Sequence, residues 1–311
     1  MTLFFTDMQM SKKCTVVLPT FFPGAQIINC LEAIPKIFKI IIIDNSYDNR
    51  LTKFIKNYKN IEYHNIGDVG LAKTFNYALS IIKTELIFLT QPDVILRKNC
   101  LENLINSIEL YPSAGILAPV VFDNGIYSKY DFYDLKYDKI NKIFNNKKFQ
   151  DGINILPSGD YSVDAINATS MLLKTNLMKT IGGWDDNIYV YLEDIDISLR
   201  LKLNGNEIIK IRNSEVDHKG FSSHFLEIKE TMNLSRIWHF TWSSIYFQKK
   251  FGKKYIYMLN LVKIIFFSVT KNIFHLFFFN KKKLNINNIK ISACISHILN
   301  KGSYFRFKHK V

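Results

Sequence analysis

Residues Gly182-Gly183-Trp184-Asp185-Asp186-Asn187-Ile188-Tyr189-Val190-Tyr191-Leu192-Glu193-Asp194-Ile195-Asp196-Ile197-Ser198-Leu199-Arg200 crowd five carboxylates into a dozen positions, between a glycine pair and an apolar rhythm. From Leu192 onward, Leu192, Ile195, Leu199 and Leu203 recur at steps of three and four, which predicts a helix stopped by Asn204-Gly205. Glu193 and Asp194 then fall in its first turn, where open amides and the helix dipole favour negative charge. A carboxylate kept ionised there near neutral pH meets the requirement of a general base. Helix capping with solvated surface charge accounts for an isolated Glu-Asp pair, so the elements around this one decide what it does.

Those elements alternate. Cys14 to Thr20 is a short β-branched run broken by Pro19, and Lys39 to Asp44 is a continuous apolar run of the kind buried inside parallel sheets. The second run delivers Asp44-Asn45-Ser46 to its carboxyl end, the edge where open α/β sheets collect ligands. A weaker helix over Ile27 to Phe38, broken near Pro35, lies between the two, and Arg50 to Tyr58 also reads as helical. Ile61 to His64 is a short strand, followed by the turn residues Asn65, Gly67 and Gly70. A helical face on Leu71, Phe75, Ala78, Leu79 and Ile82 comes next. Leu86 to Thr90 carries Gln91-Pro92-Asp93 to the same edge as Asp44. A helix on Leu101, Leu104, Ile105 and Ile108 precedes a strand over Gly115 to Val121. Phe122 to Ser162 is a Tyr-, Asp- and Lys-rich excursion suited to meeting a variable substrate. Val163 to Lys174 resumes as a strand, and Glu207 to Arg212 is another, leading into Val216-Asp217-His218-Lys219-Gly220. The expectation is an α/β, mostly parallel, doubly wound sheet.

A chain of 311 residues accommodates one large domain or a domain of roughly 220 residues with an appendage. A change of character near Phe225 divides it into residues 1–224 and a helical, amphipathic and basic region over 225–311. The formal charge of +14 points to an anionic partner: nucleic acid, a membrane face or a phosphate-bearing small molecule. Lys, Asn and Ile are frequent throughout, loops included, so part of that charge reads as diffuse compositional bias. Nucleic-acid binding calls for cations clustered on one element with aromatics interleaved, and dispersed lysines argue against it. Cys14, Cys30, Cys100 and Cys294 are far apart and form no Cys-x-x-Cys pair, which implies a reduced, cytosolic setting. The residues before Lys13 lack the apolar core of a secretory signal. Ile256 to Phe279 is apolar and aromatic but interrupted by Lys263, Lys271 and His275 and followed by Lys281-Lys282-Lys283. Lysines eight residues apart lie toward one helical side, which favours a helix lying in a membrane surface over one spanning it.

In order, spacing and residue type, Gly-Gly-Trp-Asp, Tyr-Leu-Glu-Asp-Ile-Asp, the later Arg200 and then His218 and Ser222 resemble the family 2 inverting glycosyltransferases of the GT-A fold, especially the rhamnosyltransferase-like branch. The resemblance spans about Cys14 to Ser223. It implies a Rossmann-like sheet with a C-terminal helical, membrane-associating extension, and an enzyme taking a sugar from a nucleotide-sugar donor, UDP- or dTDP-linked, to a surface-glycan or lipid-linked acceptor. It implies that Asp44 meets the donor's base or ribose near Pro19 and Thr20, and that Asn65, Lys73 and Asn76 lie among donor contacts. Asp93 would be the last carboxylate of the family's metal motif and His218 a second ligand, for Mg²⁺ or Mn²⁺. Asp194 would be the catalytic base, with Glu193 as its alternate, Trp184 an acceptor-stacking ring and Asp185 an acceptor hydrogen-bond partner. Two departures stand out: Gln91 occupies the place of the first metal-motif Asp, and Asn167-Ala168-Thr169 replaces a common Gly-Ala.

Two other classes remain open at this point. A nucleotidyltransferase usually has a Gly-rich basic loop after its first strand, where this chain has Thr20-Phe21-Phe22-Pro23-Gly24. A catalytically silent membrane adaptor would keep the fold without needing Asp44, Asp93, Asp194 and His218. The location implied is the cytoplasmic face of the cell membrane.

Overall fold

The computed structural model describes residues 6–46, 50–128, 131–133, 156–218, 229–303 and 305–306. They fall into two compact units. The first holds the described residues up to 133, with 156–185 and 194–218; the second holds 186–193 and those from 229 onward.

The first unit opens with α1 (Asp7–Lys13), whose Thr6 cap and Gln9 form a reciprocal capping box. In chain order follow β1 (Cys14–Thr20), α2 (Ile27–Ala33), β2 (Lys39–Asp44), α3 (Thr52–Ile55), β3 (Ile61–Asn65), α4 (Leu71–Ile81), β4 (Leu86–Thr90), β5 (Val94–Leu96), α5 (Cys100–Ser107) and β6 (Ala114–Asp123). The short strands β7 (Ile126–Tyr127), β8 (Phe132–Tyr133), β9 (Tyr161–Val163) and β10 (Ala165–Ile166) lead to β11 (Ser170–Lys174), α6 (Thr175–Thr180), α7 (Glu193–Leu203) and β12 (Glu207–His218).

The main sheet runs β3-β2-β1-β4-β11-β6-β12-β5. From β3 to β4 every pairing is parallel, as the unbroken apolar runs predict. Beyond β4 the sheet is mixed, because β11 lies antiparallel between β4 and β6 while β6 and β12 pair in parallel. Alternate residues of each strand feed opposite cores. Val16, Leu18, Ile40, Ile42 and Phe88 pack with α2 and α5. Val17, Ile41, Ile43 and Leu89 pack with Phe75 and Ala78 of α4 and with Ile197 and Leu201 of α7. Burying one such side chain contributes about 1.5–3 kcal/mol, so these two layers hold the edge loops in place.

α2 stops at Ala33, at the break expected near Pro35, because the proline holds Ile34 extended. Two differences from the sequence expectation have local causes. The expected strand over Val163 to Lys174 is three pieces, because the amides of Asn167 and Ala168 bond to Asp131 and Asp194 instead of a neighbouring strand. β12 runs on to His218 instead of ending near Arg212; a register shift between Ile211 and Glu215 absorbs the polar Asn213 and Ser214. Most of the excursion, 134–155, and both Ser222 and Ser223 lie outside the described residues.

The second unit contains α8 (Lys229–Phe251), α9 (Lys254–Phe277) and α10 (Lys281–Ile298). Trp238 and Trp242 of α8 pack with Ala293 of α10, and Ile245 packs with Leu261 of α9 and Cys294. Residues 186–193 attach to α8 through the Tyr189 ring stacked on His239 at 4.3 Å and the Ser243 hydroxyl donating to the Val190 carbonyl at 3.0 Å. Tyr191 and Leu192 then adopt φ +69° in succession. Each left-handed residue with a side chain costs about 1–2 kcal/mol, so a strained double step leads into Glu193 and Asp194.

Candidate active site

The carboxyl ends of β1 and β2 form one hydrogen-bonded knot. Asp44 is 1% exposed; its Oδ1 accepts from the Thr20 hydroxyl at 2.9 Å, the Ser46 amide at 3.0 Å and the Ser46 hydroxyl at 2.6 Å. Its Oδ2 accepts from the Tyr63 hydroxyl at 2.9 Å. Pro19 pairs with Ile43 in the ladder and is buried. Asn65 turns its side-chain oxygen back to the Gly67 amide at 3.1 Å, a local Asx turn. Lys73 lies exposed on α4.

Backbone pairing brings Asp93 and His218 together. β5 is antiparallel to β12 with Val94 opposite His218, which sets the imidazole beside the preceding residue, Asp93. His218 Nε2 lies 3.6 Å from Asp93 Oδ1, too long for a hydrogen bond. Asp93 Oδ1 is buried and without a hydrogen-bond partner. Burial by itself would lower the His218 imidazole, but the Asp93 carboxylate, with Asp131 and Asp123 behind it, holds it above its ordinary value. At the foot of β12, Arg97 clamps Asp217 and Glu215 at 2.7 and 2.8 Å and fixes the approach of this strand.

Asp194 occupies the first turn of α7, where the sequence places it. It is half-buried; Oδ1 accepts from the Ile195 amide at 2.8 Å and Oδ2 from the Ala168 amide at 2.9 Å. Burial pushes its carboxyl up to about 6, assisted by the charge of Asp131 and opposed by the amides of Ala168 and Ile195. Ala168 is held from its other side as well, its carbonyl accepting from Gln91 Nε2 at 2.8 Å. The two main-chain polar groups of one residue, its N–H and its C=O, thus tie the carboxylate of Asp194 to the turn that carries Asp93. Gln91, which stands where a metal-binding Asp was expected, serves as that tie.

Behind this loop is a charged pair that the sequence reading missed. Lys210, 1% exposed, is ion-paired through Nζ with Oδ2 of Asp131, 5% exposed. Asp131 also accepts from the Thr169 hydroxyl at 2.9 Å, and its carbonyl accepts from the Asn167 amide at 2.9 Å. The signal was present: a lysine set among Ile208, Ile209 and Ile211 in an otherwise apolar strand must find a buried partner.

The motif that opened the chain's chemistry divides between site and scaffold. Trp184 is 3% exposed with its ring against Phe75 at 4.9 Å, which corrects the expectation of an acceptor-stacking surface: a sugar needs a free ring face, and this ring is in the core. Asn76 is likewise committed to the fold, its side chain exchanging two 2.8 Å hydrogen bonds with the Trp184 backbone instead of facing a donor. Asp196 is fully buried and holds Arg200 at 2.7 Å, and Arg200 reaches the carbonyls of Ile181 and Gly183. Asp185 is half-buried and Glu193 is 3% exposed. Gly183 sits at φ +66°, and a Cβ there would meet Asn76 Oδ1 at 2.3 Å. Gly183→Ala is therefore expected to destabilise the first unit by about 2 kcal/mol, from left-handed strain plus the displaced Asn76 bonds, as read by denaturant unfolding. Unchanged stability would mean the turn is not held this way.

Among the described residues there is no group of three or more His, Cys, Asp and Glu that could hold a metal; Asp93 and His218 are a pair that could contribute ligands. A buried carboxylate oxygen with no hydrogen-bond partner and a neighbouring imidazole would suit a divalent cation.

Comparison with known proteins shows what the chain is similar to. Residues 15–161 match the family model described as Glycosyl transferase family 2. The rhamnosyltransferase WbbL of Escherichia coli (strain K12) is 27% identical over 188 residues, which cover 56% of this chain and 70% of that protein. The mannosyltransferase PcManGT from Pyrobaculum calidifontis, solved in complex with GDP-Man and Mn²⁺, superposes with a TM-score of 0.55 at 13% identity, covering 93% of this chain and 88% of that one. GalNAc-T7, solved with UDP, GalNAc and Mn²⁺, gives a TM-score of 0.51 at 13% identity over 66% of this chain and 43% of that one, so this chain spans less than half its length. At such identities the structural likeness establishes the fold, which is GT-A.

Proposed function

From a chain that is a glycosyltransferase, carrying a glycosyl transferase family 2 domain over residues 15–161, we propose transfer of a sugar from a UDP- or dTDP-linked donor to a hydroxyl of a surface-glycan or lipid-linked acceptor, with inversion at the anomeric carbon, at the cytoplasmic face of a membrane. The observation that carries this reading is the Ala168 main chain, whose N–H holds the half-buried Asp194 carboxylate and whose C=O holds the Gln91-Pro92-Asp93 turn.

In the reaction Asp194 takes the proton from the acceptor hydroxyl as that oxygen bonds to the anomeric carbon. The bond from the anomeric carbon to the donor phosphate breaks, and the nucleoside diphosphate leaves with the bonding electrons. No covalent sugar–enzyme intermediate forms. Thr20, Asp44, Asn65 and Lys73 lie at or beside the edge that receives the nucleotide, with Lys73 the exposed cation nearest in sequence to the Gly70 turn. Asp185 is retained as an acceptor contact. Asp93 and His218 would hold Mg²⁺ or Mn²⁺, which when bound neutralises charge on the departing diphosphate. Two similar structures contain Mn²⁺, one with UDP and one with GDP-Man, which supports a nucleotide-dependent, cation-assisted reaction.

The test is a thermal-shift panel with UDP, dTDP, GDP and CDP, each with and without Mn²⁺, because a ligand of the native state raises its apparent stability. One nucleotide is expected to give a Mn²⁺-dependent shift, and Asp93→Asn is expected to abolish the Mn²⁺-dependent part. A folded protein silent to every nucleotide would reject the donor assignment, and an unchanged Mn²⁺ response in Asp93→Asn would reject the ligand set.

A further inference from the structure

We propose that the α9–α10 hairpin seats in the interfacial layer of an anionic phospholipid bilayer, lying along the surface with its phenylalanine tip in the upper acyl region. This deepens the membrane part of the functional reading and is independent of the transfer chemistry.

Three observations converge. First, α9 places polar groups in its packed side and large apolar ones in solvent. Beside Leu261, which packs on Ile245 and Cys294, the packed side holds Asn260, bonded to Gln248 at 2.9 Å, and the buried Ser268, while Asn272 bonds to Asn288 at 2.7 Å. Its outward side presents Met258, Leu259, Val262, Phe266, Ile273 and Phe274, each at least 46% exposed. Helices in water bury the apolar stripe, whereas helices in lipid join through polar groups and turn apolar side chains outward.

Second, the hairpin tip is an aromatic run beside cations. Phe277, Phe278 and Phe279 are 78, 65 and 87% exposed, and Lys281, Lys282 and Lys283 follow at once, all exposed. Asn280 caps α10 by accepting from the Lys283 amide, which fixes the change from aromatic tip to basic helix start.

Third, the charge of the chain is segregated, contrary to the diffuse bias its composition suggests. Of 41 Lys and Arg, 15 lie after Glu230, and none of the 27 Asp and Glu does. The first 230 residues thus carry a net charge of −1, and the remaining 81 carry +15. An apolar face within a region of such net positive charge is complementary to anionic headgroups over acyl chains. A second copy meeting this one through the same C-terminal region would bring the same cations and no acid to meet them. The exposed Lys263 and Lys271 would lie within a spanning α9, one near its middle, whereas on a helix in the surface their stems reach the headgroups.

The experiment is flotation of the full chain with vesicles of phosphatidylcholine alone or with about one third phosphatidylglycerol, at about 0.1 and 0.5 M salt. Selective flotation with anionic vesicles, weakened by salt, is expected. Lys281→Gln/Lys282→Gln/Lys283→Gln should lower the anionic partition on the order of 100-fold, and Phe277→Ser/Phe278→Ser/Phe279→Ser by at least about tenfold. Both triple variants change only exposed side chains, and circular dichroism checks that they fold; the wild-type salt response tests the proposal without any variant. Equal affinity for neutral and anionic vesicles, resistance to alkaline carbonate extraction, a soluble oligomer that ignores vesicles, or binding to duplex nucleic acid alone would each overturn it.

Discussion

Asp194→Asn is expected to lower kcat by about 10²–10⁴-fold while leaving the nucleotide-induced thermal shift in place. Asparagine occupies the same volume and keeps one oxygen for the Ala168 or Ile195 amide, but it cannot take a proton. The same site gives a pH signature. Because burial raises the carboxyl to about 6, wild-type activity should be full above that value and fall about tenfold per unit below it. Stability should run the other way. A carboxyl whose folded pKa exceeds its unfolded value binds its proton more tightly when folded, so its ionisation costs stability as pH rises from about 4 to about 6, and lowering the pH restores it. Asp194→Asn should remove both responses. Turnover retained in that variant but lost in Glu193→Gln would transfer the role of base to Glu193.

Lys210→Met is expected to produce the largest loss of stability, about 3–5 kcal/mol in denaturant unfolding, because it leaves Asp131 buried without its countercharge. Removing both charges in Asp131→Asn/Lys210→Met should recover most of that loss, since the cost lies in the orphaned partner more than in the pair. Asp131 also holds Thr169 and Asn167 on either side of Ala168, so the single variant should lose activity faster than stability predicts. A double variant as unstable as the single one would show that the pair is not the determinant.

The parallel half of the fold was legible because β1, β2 and β4 are short, unbroken apolar runs, rich in β-branched residues in β1 and β2, the pattern of a strand buried on both faces. Asp194 was legible for a related reason: the three- and four-residue spacing after Leu192 marks the start of α7. Less was legible where backbone and side chains trade partners over long separations. The pairing of β5 with β12, which sets His218 beside Asp93, joins residues more than a hundred positions apart, and the bulge in β12 hides the continuity of that strand. Trp184 and Asn76 carried the right residue types for sugar and donor contacts, yet their atoms are spent on packing and on each other. The Gly-Gly-Trp-Asp run is therefore as much an architectural signature as a chemical one, with Asp196 and Arg200 bracing the glycine turn.

Ala168 contributes to the site only through its main chain, which any non-proline residue also possesses. Alanine scanning passes over it without a trace, and its neighbours can change letters while the dihedral angles that aim its N–H and C=O are kept. Two copies of this site could thus diverge in spelling around 167–169 and still be wired alike. The inherited quantity at this point is a conformation, and a substitution map drawn residue by residue would leave the junction between Asp194 and the Asp93 turn blank.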